Sequence, residues 1–211
     1  YAEDTNLIIF QEDKVSRALI DKDAIYSAEG NAAITSSQLV IGQIVAYAGE
    51  YGISQDPFSF AVYGYRKYFT DKKRGVVLRL SQDGMTEISS YGMHDFFRDE
   101  LTNATKIVGG WDAHNKNYIL SIQGPTIGPI PGTDPIQYTG YKTSAFDESV
   151  LGWTSFYSYK PTYITSLISN FYSFDNNKIY QHNLGNYGTF YGTTYDSDVT
   201  IVLNSDPSVV K

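Results

Sequence analysis

Short aromatic and aliphatic runs alternate with tight polar turns along most of the chain, a pattern that predicts antiparallel β-structure. It is clearest where Phe60-Ala61-Val62-Tyr63-Gly64-Tyr65-Arg66-Lys67-Tyr68-Phe69 leads into Thr70-Asp71-Lys72-Lys73-Arg74-Gly75 and then Val76-Val77-Leu78-Arg79-Leu80. Asp suits such a turn because it hydrogen-bonds its own backbone, and Gly because it accepts positive φ. A second turn at Gln82-Asp83-Gly84 returns through Met85-Thr86-Glu87-Ile88. Residues 60–89 are therefore expected to form a three-stranded meander, with no helix between Tyr63 and Leu80.

Related hairpins recur. Lys106-Ile107-Val108-Gly109-Gly110-Trp111 turns through 112–116 into Asn117-Tyr118-Ile119-Leu120-Ser121-Ile122, and Asn170-Phe171-Tyr172-Ser173-Phe174 turns through 175–177 into Lys178-Ile179-Tyr180-Gln181-His182. Leu7-Ile8-Ile9-Phe10 with 15–20 is a looser copy. Turn residues Asp71 and Asp112 lie about 40 residues apart, near the ~40–50-residue spacing of propeller blades. Further strands are expected at 153–159, 189–195 and 199–203. One helix is expected at 93–101, where Met93, Phe96, Phe97 and Leu101 share a face. The stretch 124–140 holds Pro125, Pro129, Pro131 and Pro135, four of the seven prolines. Each lacks the donor that a central strand needs, so the segment is either a linker between subregions or an ordered loop that packs on a neighbour. The predicted fold is all-β, built of antiparallel meanders and part of a β-propeller. It divides into a meander region at 1–123, a Pro/Gly-rich linker or insertion at 124–145 and an aromatic-rich β region at 146–211, either as separate regions or as parts of one domain.

Composition sharpens this picture. At 211 residues with 42% hydrophobic and 18% charged residues, the chain has enough apolar surface for a real core. Nineteen Tyr and eleven Phe favour strands and also interfaces, where one end of a ring is apolar and the other wet. The net charge of −7 gives no overall pull toward nucleic acid or anionic membrane. Cysteine is absent, which excludes disulfides and thiolate metal sites. No apolar run approaches the ~18 residues of a membrane span. The acidic first residues, with no initiator Met, read as the start of a piece cut from something longer.

Candidate chemistry is sparse. His94, His114 and His182 show no metal-ligand spacing, and neither a nucleophile elbow nor a phosphate-binding loop occurs. Asp95, Asp99, Glu100, Asp147 and Glu148 could include a glycosidase pair only if two of them met across a cleft; they otherwise read as solvated. Asp21, Asp23 and Glu29 resemble a calcium loop faintly, with Tyr26 where such a loop needs Gly. Arg66, Lys67, Lys72, Lys73, Arg74 and Arg79 lie among Tyr63, Tyr65 and Tyr68, an arrangement seen in single-strand nucleic-acid binding, although a solvated hairpin turn or an acidic protein partner accounts for it as well. Catalytic residues, cofactor and metal are expected to be none.

Several strings also resemble large virion structural proteins of tailed bacteriophages, of the cyanophage and crAss-like types. They include Gly49-Glu50-Tyr51-Gly52-Ile53-Ser54, the run from Ser59 to Ser81 through Tyr63-Gly64-Tyr65-Arg66-Lys67-Tyr68, and Gly92-Met93-His94-Asp95-Phe96-Phe97-Arg98. Gly152-Trp153-Thr154-Ser155-Phe156 and Ile179-Tyr180-Gln181-His182-Asn183 extend the likeness into the second half. The resemblance implies a tail (nozzle- or hub-like) assembly subunit in the virion, with no catalytic residues to carry over and with copies of itself and other virion proteins as partners. Nucleic acid and membrane are not expected. Two rivals remain: a carbohydrate-binding adhesin stacking a glycan on exposed rings such as Trp111 and Trp153, and a polysaccharide depolymerase relying on Asp95 or Asp147.

Overall fold

The computed structural model describes residues 1–4, 6–26, 32–125 and 140–201, with side chains throughout except at 21–26 and 32–39. The chain is all-β, in antiparallel sheets whose strands pair in sequence order. The first sheet contains β1 (Ala2–Glu3), β2 (Asn6–Phe10), β3 (Val15–Tyr26) and β4 (Ala32–Ala46). The second contains β5 (Ala61–Tyr63), β6 (Arg66–Asp71), β7 (Val76–Ser81) and β8 (Gly84–Glu87). The third runs β9 (Lys106–Asp112), β10 (Asn117–Gln123), β11 (Tyr141–Asp147) and β12 (Gly152–Tyr157). A three-stranded fourth sheet, β13 (Tyr163–Leu167), β14 (Asn170–Asp175) and β15 (Lys178–Gln181), is followed by a small hairpin of β16 (Thr189–Phe190) and β17 (Thr193–Thr194). The described strands close into neither a propeller nor a barrel.

The sheets stack face to face because each strand alternates its side chains between two seams. On β6, Tyr68 joins a core with Trp111, Tyr118, Leu120 and Phe146 of the third sheet, while its neighbour Phe69 joins Ile8 and Val15 of the first. On β9, Ile107 and Trp111 face the second sheet, and Val108 faces Ile164 and Phe171 of the fourth. Two glycines thin this strand on both sides. A Cβ at Gly109 would lie 2.1 Å from the Ser59 carbonyl oxygen, and one at Gly110 would lie 2.3 Å from Ile164 Cγ2. The close backbone approach brings the first strands together, so that β5 and β13 both adjoin β9.

The expected helix is α1 (His94–Thr102), with Phe97 and Leu101 fully buried and Met93 and Phe96 packed beside them. Several expectations need correction. The run 60–69 is not one strand: Gly64, at φ 54, opens a tight turn that separates β5 from β6 and makes the meander four-stranded. The stretch 189–195 is likewise two strands, because Tyr191 and Gly192 both have positive φ (54 and 84) and form the two-residue turn that suits a hairpin. Phe190 and Tyr191 therefore pack against the same core. Residues 199–201 form no strand. β10 and β11 pair along their whole lengths, and Gly124 donates to the Gly140 carbonyl, so the Pro/Gly segment is an insertion between two neighbours of one sheet. Tyr141 to Ala145, grouped with that segment in the sequence reading, belong to β11. The remainder of that segment, 126–139, lies outside the described residues.

Candidate functional site

The turn after β9 and the loop after β15 enclose a cavity of about 620 Å³ between the third and fourth sheets. Its floor is made by apolar strand positions, Ile119 of β10 and Phe171 of β14, together with the buried ring of Tyr159. Its walls carry Tyr157, Tyr180, Phe190 and Tyr191, and the fully exposed ring of Tyr187 stands at the mouth.

The polar anchor is Asp112, only 4% exposed. Its Oδ1 accepts from the backbone N–H groups of His114 (3.0 Å) and Asn115 (3.3 Å), which fixes the turn. Its Oδ2 accepts from the side-chain amide of Asn115 at 2.8 Å, and the Asn183 amide reaches both oxygens at 3.1 and 3.2 Å. Asn115 also donates to Asn183 Oδ1 at 3.0 Å, which ties the two loops together. Asn183 adopts the left-handed region at φ 61, a conformation that Asn tolerates better than most residues. The 182–192 loop is held further by His182 N–H donating to Phe171 O and Tyr195 N–H to Gly188 O.

Of the three histidines, His182 alone turns inward. Its ring lies against Tyr159 and Phe171, and burial pushes its pKa down to about 4, partly opposed by the Asp112 charge. His182 is therefore neutral at pH 7. Nε2 lies 2.6 Å from Ser173 Oγ, which in turn lies 2.8 Å from the Tyr191 hydroxyl. This hydroxyl–imidazole chain resembles an activated serine, but Ser173 is sealed from solvent. His114 is an exposed turn residue beside Asn115, and His94 is exposed beside Asp95 and Glu87.

The carboxylates named from sequence do not converge on the cavity. Asp95 and Asp99 pair with Arg98 on the surface of α1, and Glu100 shares that helix. Asp147 accepts from the Ser149 hydroxyl and N–H, which holds its pKa below the ordinary value, opposite to what a general acid needs. Glu148 accepts from Tyr68 Oη at 2.6 Å and pairs with Arg79 at 2.8 Å and Arg66 at 3.7 Å. The side chains of Asp21 and Asp23, and Glu29 altogether, lie outside the described residues. Among the described residues no group of three or more potential ligands could hold a metal.

Neither tryptophan is free to act as an open stacking platform. Trp111 is 4% exposed, stacked on Tyr63 (4.2 Å between centroids) and Tyr68 (5.4 Å), and its buried Nε1 has no partner. Trp153 packs against Phe97 and Phe146 and donates to the Ile88 carbonyl at 3.0 Å. The basic cluster is largely paired, although Arg66, Lys73 and Arg74 stay exposed. Lys67 bonds Glu3, Lys72 the Ala104 carbonyl, Lys73 pairs with Glu12 and Asp13, and Arg74 with Asp71. These cations stitch the first three sheets together and form no open basic groove.

A different surface is left apolar. On β4, at the edge of the first sheet, Val40, Ile41, Ile44 and Val45 are all exposed; at the other end of the stack Leu167, Ile168 and Ile179 of the fourth sheet are exposed as well. No protein-family model matches the chain, and no curated protein sequence does.

Proposed function

We propose that this chain is a non-enzymatic structural module of a bacteriophage tail, a propeller-like segment of a nozzle- or hub-type subunit located in the virion. The observation that carries the reading is the stack itself. Consecutive meanders pack face to face, and the first strands of the second and fourth sheets adjoin the first strand of the third, a packing compatible with neighbouring propeller blades. The two ends of the stack keep apolar side chains in solvent, and an exposed patch of that kind marks a contact with another protein surface. Further blades, or further copies, would cover both ends. The sequence strings that resemble tailed-phage virion proteins point the same way.

A stable contact of this kind buries about 800 Å² per partner. Light scattering should show multimers of the wild-type chain, and a density map of the assembled particle should place other protein over β4 and over the outer face of the fourth sheet. Charged substitutions at Val40 and Ile168 should weaken assembly while leaving the β circular-dichroism signal intact. A strictly monomeric protein with both surfaces bare in the particle would refute the proposal.

A further inference from the structure

We infer that the cavity between the third and fourth sheets binds a neutral saccharide. The argument is independent of where the chain resides and rests on the kinds of group that line the cavity. Its volume of about 620 Å³ lies within the range of about 300–1,000 Å³ typical of small-molecule sites. Its lining includes no Lys and no Arg. A phosphate, sulfate or carboxylate ligand would find no countercharge there, and neither would a nucleic-acid backbone.

A cationic ligand is disfavoured for a different reason. Asp112 is the one carboxylate in the lining, and it is already engaged by two backbone N–H groups and two side-chain amides. A purely apolar ligand would strand the side-chain amides of Gln181 and Asn186, which also line the cavity. What remains is an uncharged molecule with many hydroxyls and flat apolar faces. The polarised C–H face of a sugar ring suits the negative face of a Tyr ring, while planar amides supply paired donors and acceptors to its hydroxyls.

The site is also preorganised, which lowers the cost of binding. Tyr157 and Tyr180 project from strands, and the 182–192 loop is pinned by Asn183 to Asp112 and by Gly188 to Tyr195. A Cβ at Gly188 would lie 2.7 Å from the Tyr195 carbonyl oxygen, so the loop turns where only glycine fits. Tyr187, fully exposed at the mouth, is the ring best placed to stack on an incoming sugar.

The test is titration calorimetry of the whole chain with short neutral oligosaccharides of glucose, galactose, mannose and N-acetylglucosamine, each beside a sulfated or sialylated counterpart. At least one neutral member should bind with Kd of about 1 mM or tighter, and its charged counterpart more weakly. Tyr187→Ala should weaken that binding about tenfold, the worth of one stacked ring. Tyr65→Ala, which removes another exposed ring outside the cavity, should leave it unchanged. Because Tyr187 makes no ring contact of its own within the fold, its removal does not threaten folding. The inference is overturned by no binding across the neutral panel, by preference for the charged counterparts, or by full affinity in Tyr187→Ala. A chain that assembles but binds no sugar sinks this inference alone, and a sugar-binding monomer sinks only the tail reading.

Discussion

The two faces of the third sheet are packed to different ends. Toward the second sheet, Tyr68 stacks between Trp111 and Tyr118 and the Tyr118 hydroxyl donates to Ser59 O at 2.7 Å, so the seam is closed. Toward the fourth sheet the buried core is smaller, and it opens beyond Tyr159 into the cavity. The closed seam holds the stack together. The open one leaves part of its area unpacked around the cavity.

Neighbouring glycines on β9 provide the most severe test of this contrast. Gly109→Ala pushes a methyl into a backbone carbonyl that cannot move without shifting a strand, and it should cost about 3 kcal/mol or abolish folding. Gly110→Ala meets the Ile164 methyl, and a side chain beside a partly open seam can yield, so the expected loss is about 1–2 kcal/mol. Urea unfolding midpoints measure both. Equal losses would mean that the two seams are equally rigid.

The turn carboxylates come next. Asp71 and Asp112 both cap a hairpin by accepting the N–H three residues ahead. Asp71 also accepts from Gly52 N, Ser54 Oγ and the Arg74 guanidinium, groups that cannot reverse their polarity except for the serine. Asp71→Asn should therefore cost about 2–3 kcal/mol. Asp112 is served partly by the amides of Asn115 and Asn183, which can rotate to present oxygen. Asp112→Asn should cost about 1 kcal/mol and should weaken protease resistance of the 182–192 loop.

The smallest expected effect is the response to acid. His182 in the unfolded chain titrates near its ordinary value of 6.5 and in the fold at about 4. Between those values the unfolded state binds more protons, so the stability contributed by neutral His182 is present above pH 6.5 and lost as pH falls toward 4. Allowing for its partial exposure, the loss from pH 7 to pH 5 should be about 1 kcal/mol. It should vanish in His182→Gln. A slope that survives in that variant would assign the effect to other groups.

Hairpins were legible in the sequence wherever polar residues formed the turn, as at Asp71 to Gly75 and Asp175 to Asn177, because those residue types accept turn geometry on their own. Turns carried by aromatics were not. Gly64-Tyr65 and Tyr191-Gly192 sit inside aromatic runs that read as continuous strand, and positive φ at Tyr191 is tolerated only because tertiary packing holds its ring. The roles of Trp111 and of the basic cluster were hidden for a related reason: burial and pairing depend on which sheets face each other. The cavity is assembled across a seam from Asp112, Asn183 and the loop tyrosines. Its one local signal was a Gly- and Asn-rich stretch lacking Lys and Arg from 179 to 195.

The sequential order of the strands also has a kinetic consequence. Among the described residues every sheet pairs only strands that are consecutive in the chain, so each can form as soon as its own segment has been synthesised, without waiting for distant sequence. The insertion between β10 and β11 delays this little, since each doubling of a loop's length adds only about 0.6 kcal/mol of closure entropy. A nascent chain can thus present a finished β5–β8 sheet, with Tyr68 in place, before Trp111 and Tyr118 emerge to dock on it.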